Sequence, residues 1–398
     1  MPPPSLTSSE RRRAYKGPVL FSHGFRPFFL LAGLWAALAL AIWITVLATG
    51  SEIPSRLGGA EWHMHEMVFG YATAVIAGFL LTAVPNWTGR LPVIGWPVAG
   101  LTGVWLAGRL ALFFSAYLPP LVAPLIDMAF LLLLGLVIAR EVFAGRNWRN
   151  LKVLGVILVL ALANGIFHVE AAQGTAYEGY GIRLGIAATL LLIILIGGRV
   201  IPSFTGNWMK RNGITKLPTP FNRFDSVAMA TGGAALAAWV VLPESPLTRW
   251  LALAAGILHL LRVARWGGLR TFAEPLVTVL HAAYVFVPVG FLMLGLGELL
   301  PGWRGPLQIP HAWMVGAIGG MTLAMMTRVS LGHSGRPLQS NGGIVALYLA
   351  ILVAVIFRIG SEMVPGAGWL LYTSATGWIG GFLGFVVLYY PILSRPRI

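Results

Sequence analysis

Trp62-His63-Met64-His65-Glu66-Met67-Val68-Phe69-Gly70 opens a run that stays apolar through Ala83 and closes on Val84-Pro85-Asn86-Trp87-Thr88-Gly89. A helix needs about 20 mostly apolar residues to cross a bilayer. Met64–Ala83 meets that length, with its ionisable side chains, His65 and Glu66, gathered at one end. The same ruler laid along the 398 residues predicts further spans at Pro27–Thr49, Val93–Ala116, Leu121–Ala144, Leu151–Ala172 and Gly181–Pro202. The second half gives Val227–Leu242, Leu247–Ala264, Leu276–Leu296, Ala312–Thr327, Ile344–Ile359 and Trp369–Leu393. Composition agrees: 57% of residues are hydrophobic and 10% charged, against about 25% charged in a soluble domain. The expected fold class is an all-α integral membrane protein of twelve transmembrane helices.

The formal charge of +15 reports topology rather than a nucleic-acid partner. With the N-terminus inside and the spans alternating, Arg11, Arg12, Arg13, Lys16, Arg146, Arg149, Lys210, Arg211, Arg336 and Arg395 all fall on the cytoplasmic side. Arg56, Arg109, Arg183, Arg249, Arg304 and Arg358 are the only basic residues at the outer ends. That is the positive-inside pattern, so both termini are expected to be cytoplasmic. Residues 1–26 form a basic cytoplasmic segment, 27–393 a single twelve-helix membrane domain and 394–398 a tail. With no cysteine in the chain, disulfides, iron–sulfur clusters and thiolate-ligated haem are excluded. Any metal must be held by His, Met, carboxylate or Tyr.

Spans two, six and ten share an ending: Val84-Pro85-Asn86-Trp87-Thr88-Gly89, Ile201-Pro202-Ser203-Phe204-Thr205-Gly206 and Ser330-Leu331-Gly332-His333-Ser334-Gly335. Aligning the terminal glycines sets Arg199 opposite Arg328 and brings Gly70, Ala187 and Gly316 together. The same register superposes His65, Ile182 and His311. Three four-helix arcs with pseudo-threefold symmetry are therefore expected, rather than the two six-helix halves of many transporters. Gly377, Gly380, Gly381 and Gly384 on the last span could serve an oligomer face or intramolecular packing.

Ionisable groups inside a membrane are costly and mark function by default. On a helix, residues i and i+2 differ by about 200°, so His63 and His65 address nearly opposite sides. That suits two separate cofactors, whereas one zinc ion prefers His-Glu-x-x-His spacing. His311, at the same depth on span ten, completes with His65 a bis-imidazole clamp around one low-spin haem b. His63 would hold a second cofactor on the opposite side of the helix. The plainer reading has these histidines bonded to interfacial water or Glu61.

Glu66 is a candidate proton donor or the orienting partner of a ligand histidine. His168 is a ligand or a helix cap, His281 a ligand or a polar partner of Glu274, and His333 a ligand or a loop residue. His23 and His259 read as structural. The remaining membrane carboxylates are Asp127 and Glu170. Met64, Met67, Met321, Met325 and Met326 could bind copper or simply pack. Arg56, Arg183 and Arg304 could pair with haem propionates or anchor the interface.

These motifs carry a resemblance. Gly24-Phe25-Arg26-Pro27-Phe28-Phe29, Trp62 to Gly70, Gly197-Gly198-Arg199-Val200-Ile201-Pro202 and the segment from Val315 to Pro337 resemble the NnrS family along nearly the whole chain. The resemblance implies a bacterial inner-membrane protein containing haem and also copper, linked to nitric oxide and nitrosative stress. Its histidine pattern falls on His63, His65, His168, His281, His311 and His333. A more distant similarity is to the catalytic subunits of haem–copper oxidases and nitric oxide reductases, in which haem ligands lie near the outer ends of helices two and ten. There the His-x-His lies on helix ten. Here it lies on helix two, and helix six lacks the copper-ligating histidine, with Tyr180 and Arg183 nearby instead.

On this resemblance the chain is expected to be a membrane haem protein that binds and reduces nitric oxide, with electrons from membrane quinol and His63 as the candidate catalytic residue, its haem b keeping a position open for a diatomic ligand. The alternatives are a non-catalytic sensor or haem/copper-handling protein, and a twelve-helix secondary transporter.

Overall fold

The computed structural model describes residues 15–299, 310–364 and 366–398. Arg304, named above, lies outside them. Twelve helices among the described residues are long and apolar enough to cross a membrane. In chain order, α1 is Phe25–Thr49 and α2 runs Gly59–Thr88. Next come α3 Trp96–Phe113, α4 Val122–Ala144 and α5 Leu151–Ala172. The sixth, α6, joins Tyr180–Leu192, Ile193–Gly197 and Gly198–Arg211. Then follow α7 Arg223–Val241, α8 Pro246–Ala264 and α9 Pro275–Leu296. The last three are α10 Ala312–His333, α11 Gly342–Met363 and α12 Gly368–Ser394. The chain is a multi-pass, all-helical membrane protein, and no strand occurs among the described residues.

Local chemistry sets the ends. Gly50 and Gly89 close α1 and α2 in the left-handed region, each at φ 68°, where a side chain would meet its own backbone. Asn341 caps α11 by accepting from Ile344 N (2.9 Å). Ser245 caps α8, with Pro246 at the first helical position. The outer flanks carry exposed leucines such as Leu125, Leu136 and Leu162, as expected of surfaces solvated by lipid.

The three helices aligned by their terminal glycines stand apart from the other nine. Of each span's most apolar window, 83% is buried in α2, 78% in α10 and 67% in α6, the highest values of the twelve. The same three, and no others among the described residues, widen into π-helical turns: Glu66–Ala72, Ile193–Gly197 and Ala312–Gly319. The π turns of α2 and α10 start at the same register, 23 residues before Gly89 and Gly335. Each follows directly on His65 or His311. The repeat seen in the sequence thus has a counterpart in local geometry.

Cα proximity divides the chain into two compact units. The first comprises residues up to 177, with 329–337 and 386–398. In it α1 packs on α2, α2 on α4, α3 on α4 and α4 on α5. Arg26, 1% exposed, donates to the carbonyls of Leu393 and Arg395, both at 2.7 Å, and so satisfies orphan acceptors at the end of α12. The second unit comprises 178–328 and 338–385. In it α7, α8, α9 and α10 pack in sequence, and α6 lies against α7 and α9. The glycine stripe of α12 packs inside this unit: a Cβ on Gly377 would lie 2.7 Å from the Ala350 carbonyl, and one on Gly384 2.6 Å from Leu347.

Candidate metal centre

Helix α2 carries His65 and Glu66 at the junction between its first α-helical stretch and the π turn. Both are fully buried. Around them the first unit gathers polar residues from four other helices: Trp35 of α1, Arg109 of α3, Asp127 of α4, and Asn164 and His168 of α5. Glu66 Oε2 accepts from the Trp35 indole (2.6 Å) and from Arg109 Nη1 (2.7 Å). Its Oε1 lies 3.2 Å from His65 Nδ1. The other arm of Arg109, Nη2, donates to Asp127 Oδ1. Asp127 Oδ2 accepts from Asn164 Nδ2 (2.7 Å) and faces the Nε2 atoms of His65 (3.2 Å) and His168 (3.0 Å). Asn164 Oδ1 lies 3.0 Å from His65 Nε2.

Counting donors and charges exposes what this cluster lacks. A neutral imidazole has one N–H to give, yet His65 faces the Glu66 carboxylate on one side and the Asp127 carboxylate and Asn164 carbonyl oxygen on the other. With the proton on Nδ1 toward Glu66, the Nε2 lone pair confronts two more acceptors. Two carboxylates also share one guanidinium, that of Arg109. One further positive charge beside Nε2, a proton or a metal ion, resolves both deficits. A carboxylate bonded to the outer nitrogen of an imidazole is the arrangement that fixes a metal-ligating histidine. Ligand atoms of His65, Asp127 and His168 lie within 4.8 Å of one another, a spacing that one ion at about 2 Å from each nitrogen can bridge. The residues present fit a single metal ion.

Space at the cluster is tight. A Cβ on Gly70 would lie 2.5 Å from Glu66 Oε2 and 2.7 Å from Arg109 Nη1. Gly70→Ala is therefore expected to cost about 1–3 kcal/mol as an overpacked core position, read as a lowered melting temperature in detergent.

The NnrS protein family matches residues 19–397. The chain belongs to the NnrS family. No curated protein matches it.

His65, expected from the sequence to share a haem with His311, lies among aromatic rings. The rings of Phe69, Phe167 and His168 stand 5.1–5.2 Å from its ring, and both nitrogens face partners within the first unit. This setting suits an ion, the ligand atoms of His65, Asp127 and His168 being gathered there. His63 points elsewhere, as the i, i+2 spacing requires, and stacks on Trp43 of α1 at 5.5 Å and 14°. His311, in the second unit, is partly exposed. Its Nδ1 lies 2.7 Å from Glu362 Oε1, and Arg358 Nη2 approaches to 3.0 Å.

The other expected ligands of this NnrS chain have plainer surroundings. His281 Nε2 pairs with the Thr205 hydroxyl (2.8 Å), which itself donates to the Ile201 carbonyl. His333 lies against Phe25 at 5.9 Å. Arg56 donates to the carbonyls of Ser115 (3.0 Å) and Leu118 (2.8 Å). Arg183 donates to the carbonyls of Val240 (3.1 Å) and Glu178. Both arginines tie helix ends.

In the sequence Arg109 and Asn164 carry no signal of a site, and Asp127 reads only as a membrane carboxylate. A second buried network of this NnrS chain is equally silent there. Arg262, fully buried in α8, donates to Asp225 Oδ1 (3.1 Å), to the Tyr284 hydroxyl (2.9 Å) and to the Ile194 carbonyl of the α6 π turn (3.3 Å). Since arginine only donates, the Tyr284 hydroxyl passes its proton toward His259 Nδ1 (3.1 Å). That fixes the ring of His259.

Proposed function

We propose that this NnrS-family protein binds and reduces nitric oxide at a metal centre in the bacterial inner membrane, with His65, Asp127 and His168 holding a buried ion. The observation that carries the reading is the acceptor-rich setting of His65, which calls for a cation where three ligand atoms already converge. A bound metal supplies the redox chemistry and the coordination position for a diatomic ligand. Copper, which the family resemblance implies, suits imidazole ligands. Glu66 keeps the His65 ring turned with Nε2 toward the ion, Asn164 orients the Asp127 carboxylate, and Arg109 balances the two carboxylates. Phe69 and Phe167 keep water from the ring. Haem b, where the protein carries it, would use His63 in the first unit or, separately, His311 in the second. Electrons would come from membrane quinol, and both termini would face the cytoplasm.

The test is nitric oxide consumption by proteoliposomes supplied with a quinol. Quinol-dependent consumption that is lost in His168→Ala and Asp127→Asn is the expected result. Binding without turnover would overturn reduction in favour of a sensor, and absence of binding would overturn the reading altogether.

A further inference from the structure

The π turn of α2 begins directly after His65 and spans seven residues, Glu66–Ala72. Such turns are rare, and they gather at functional sites. Relative to a continuous α-helix, a π turn inserts an extra residue, and each residue is worth about 100° of rotation. Gly59–His65 is thereby turned relative to the body of the helix, and this segment carries His65 to Asp127 of α4 and Asn164 of α5.

Bonds from outside the helical ladder close this wide turn. The Trp105 indole N–H donates to the Gly70 carbonyl (3.0 Å), and the Thr73 hydroxyl donates to the Phe69 carbonyl. Trp105 is 1% exposed and sits one helical turn before Arg109 on α3. One face of α3 therefore grips the turn at two points, Arg109 at Glu66 and Trp105 at Gly70. Trp35, which holds Glu66 from the other side, packs edge-on against Trp105 at 6.2 Å.

We infer that Trp105 is a positioning residue of the metal centre: its indole N–H holds the π turn at Gly70 and so keeps His65 aimed at Asp127 and His168. The inference rests on the ion-site reading for its purpose, while the geometry it asserts can be measured without metal.

The chain has no cysteine, so an introduced pair reports alone. In full-length protein carrying His65→Cys and His168→Cys, a short bifunctional thiosulfonate should join the two positions. Adding Trp105→Phe, which keeps an aromatic ring and removes the N–H, should abolish that crosslink. A second pair, Phe28→Cys with Phe130→Cys, whose native rings lie 5.8 Å apart, should crosslink equally with or without Trp105→Phe. Deleting Val68, which restores an α-helical path, should also abolish the 65–168 crosslink.

An unchanged 65–168 crosslink in Trp105→Phe would overturn the inference. Loss of both pairs would overturn it too, since Trp105 would then support the whole unit rather than the turn. Failure of the parent pair to crosslink would overturn the placement of His65 itself. Cobalt(II) titration of protein with both histidines intact separates the two levels. No cobalt spectrum in the wild type would end the ion-site reading, while the positioning role of Trp105 would still stand or fall by the crosslinks. A cobalt spectrum that Trp105→Phe weakens or shifts is the result expected if both hold.

Discussion

Arg109→Met is expected to be among the most damaging single substitutions in the chain. It leaves Glu66 and Asp127, both buried, without the guanidinium that bridges them. Breaking a buried ion pair by removing one partner costs about 3–5 kcal/mol, because the surviving charge stays buried and uncompensated. Here two charges survive. Methionine fills much of the volume of the arginine stem, so a cavity contributes little and the loss reports electrostatics. Unfolding in a denaturing detergent, followed by circular dichroism, should show the loss in Arg109→Met. The double variant Arg109→Met with Glu66→Gln should recover part of it by removing one stranded carboxylate. Recovery distinguishes charge imbalance from lost packing, since the second substitution changes almost no volume. Equal stability of the single variant and the wild type would refute the account of the cluster.

Substitutions within the triad should separate ligands from their supports. His65→Ala and His168→Ala each remove a ligand nitrogen and Asp127→Asn removes the carboxylate charge, and all three are expected to abolish tight metal binding. Glu66→Gln leaves all three ligand atoms in place and weakens the hold on His65 Nδ1, together with the ion pair to Arg109. Loss of such an outer-shell partner typically costs about 10–100-fold in metal affinity. Competition titration against a chelator of known affinity reads both effects on one scale. His63→Ala should leave the ion unaffected, because His63 stacks on Trp43 and supplies none of the three ligand atoms. A result in which Glu66→Gln abolishes binding and His168→Ala does not would reverse the assigned roles.

The transmembrane architecture was legible because hydropathy over a span needs no partner to be read. Met64–Ala83 lies inside the observed Gly59–Thr88, and α6 and α10 differ chiefly in running on past Pro202 and Thr327. The special status of helices two, six and ten was legible as well, through their shared endings. The divergence of His63 and His65 followed from helix geometry alone.

What escaped was everything that depends on residues meeting across helices. Arg109 reads as one more basic residue near an outer end, yet its partners lie 43 and 18 positions away. Asn164 sits in an apolar run with no pattern to flag it, and it reaches His65 across 99 positions. Arg262 counts as an inner-face charge in a topology tally, whereas it is fully buried against Asp225 and Tyr284. The π turns have no residue signature either. Their wide geometry is stabilised by donors on other helices, such as Trp105 and Arg262.

The central claim, a metal ion on His65, Asp127 and His168, is tested most directly by elemental analysis of detergent-purified wild-type protein beside Asp127→Asn. A pyridine haemochrome assay on the same samples accounts for haem iron separately. The account predicts a non-haem ion in stoichiometric amount in the wild type, absent from an Asp127→Asn protein that remains monodisperse. Wild-type protein that is folded, monodisperse and free of any non-haem metal after purification and reloading would contradict it. The cluster would then be a buried brace balanced by a proton.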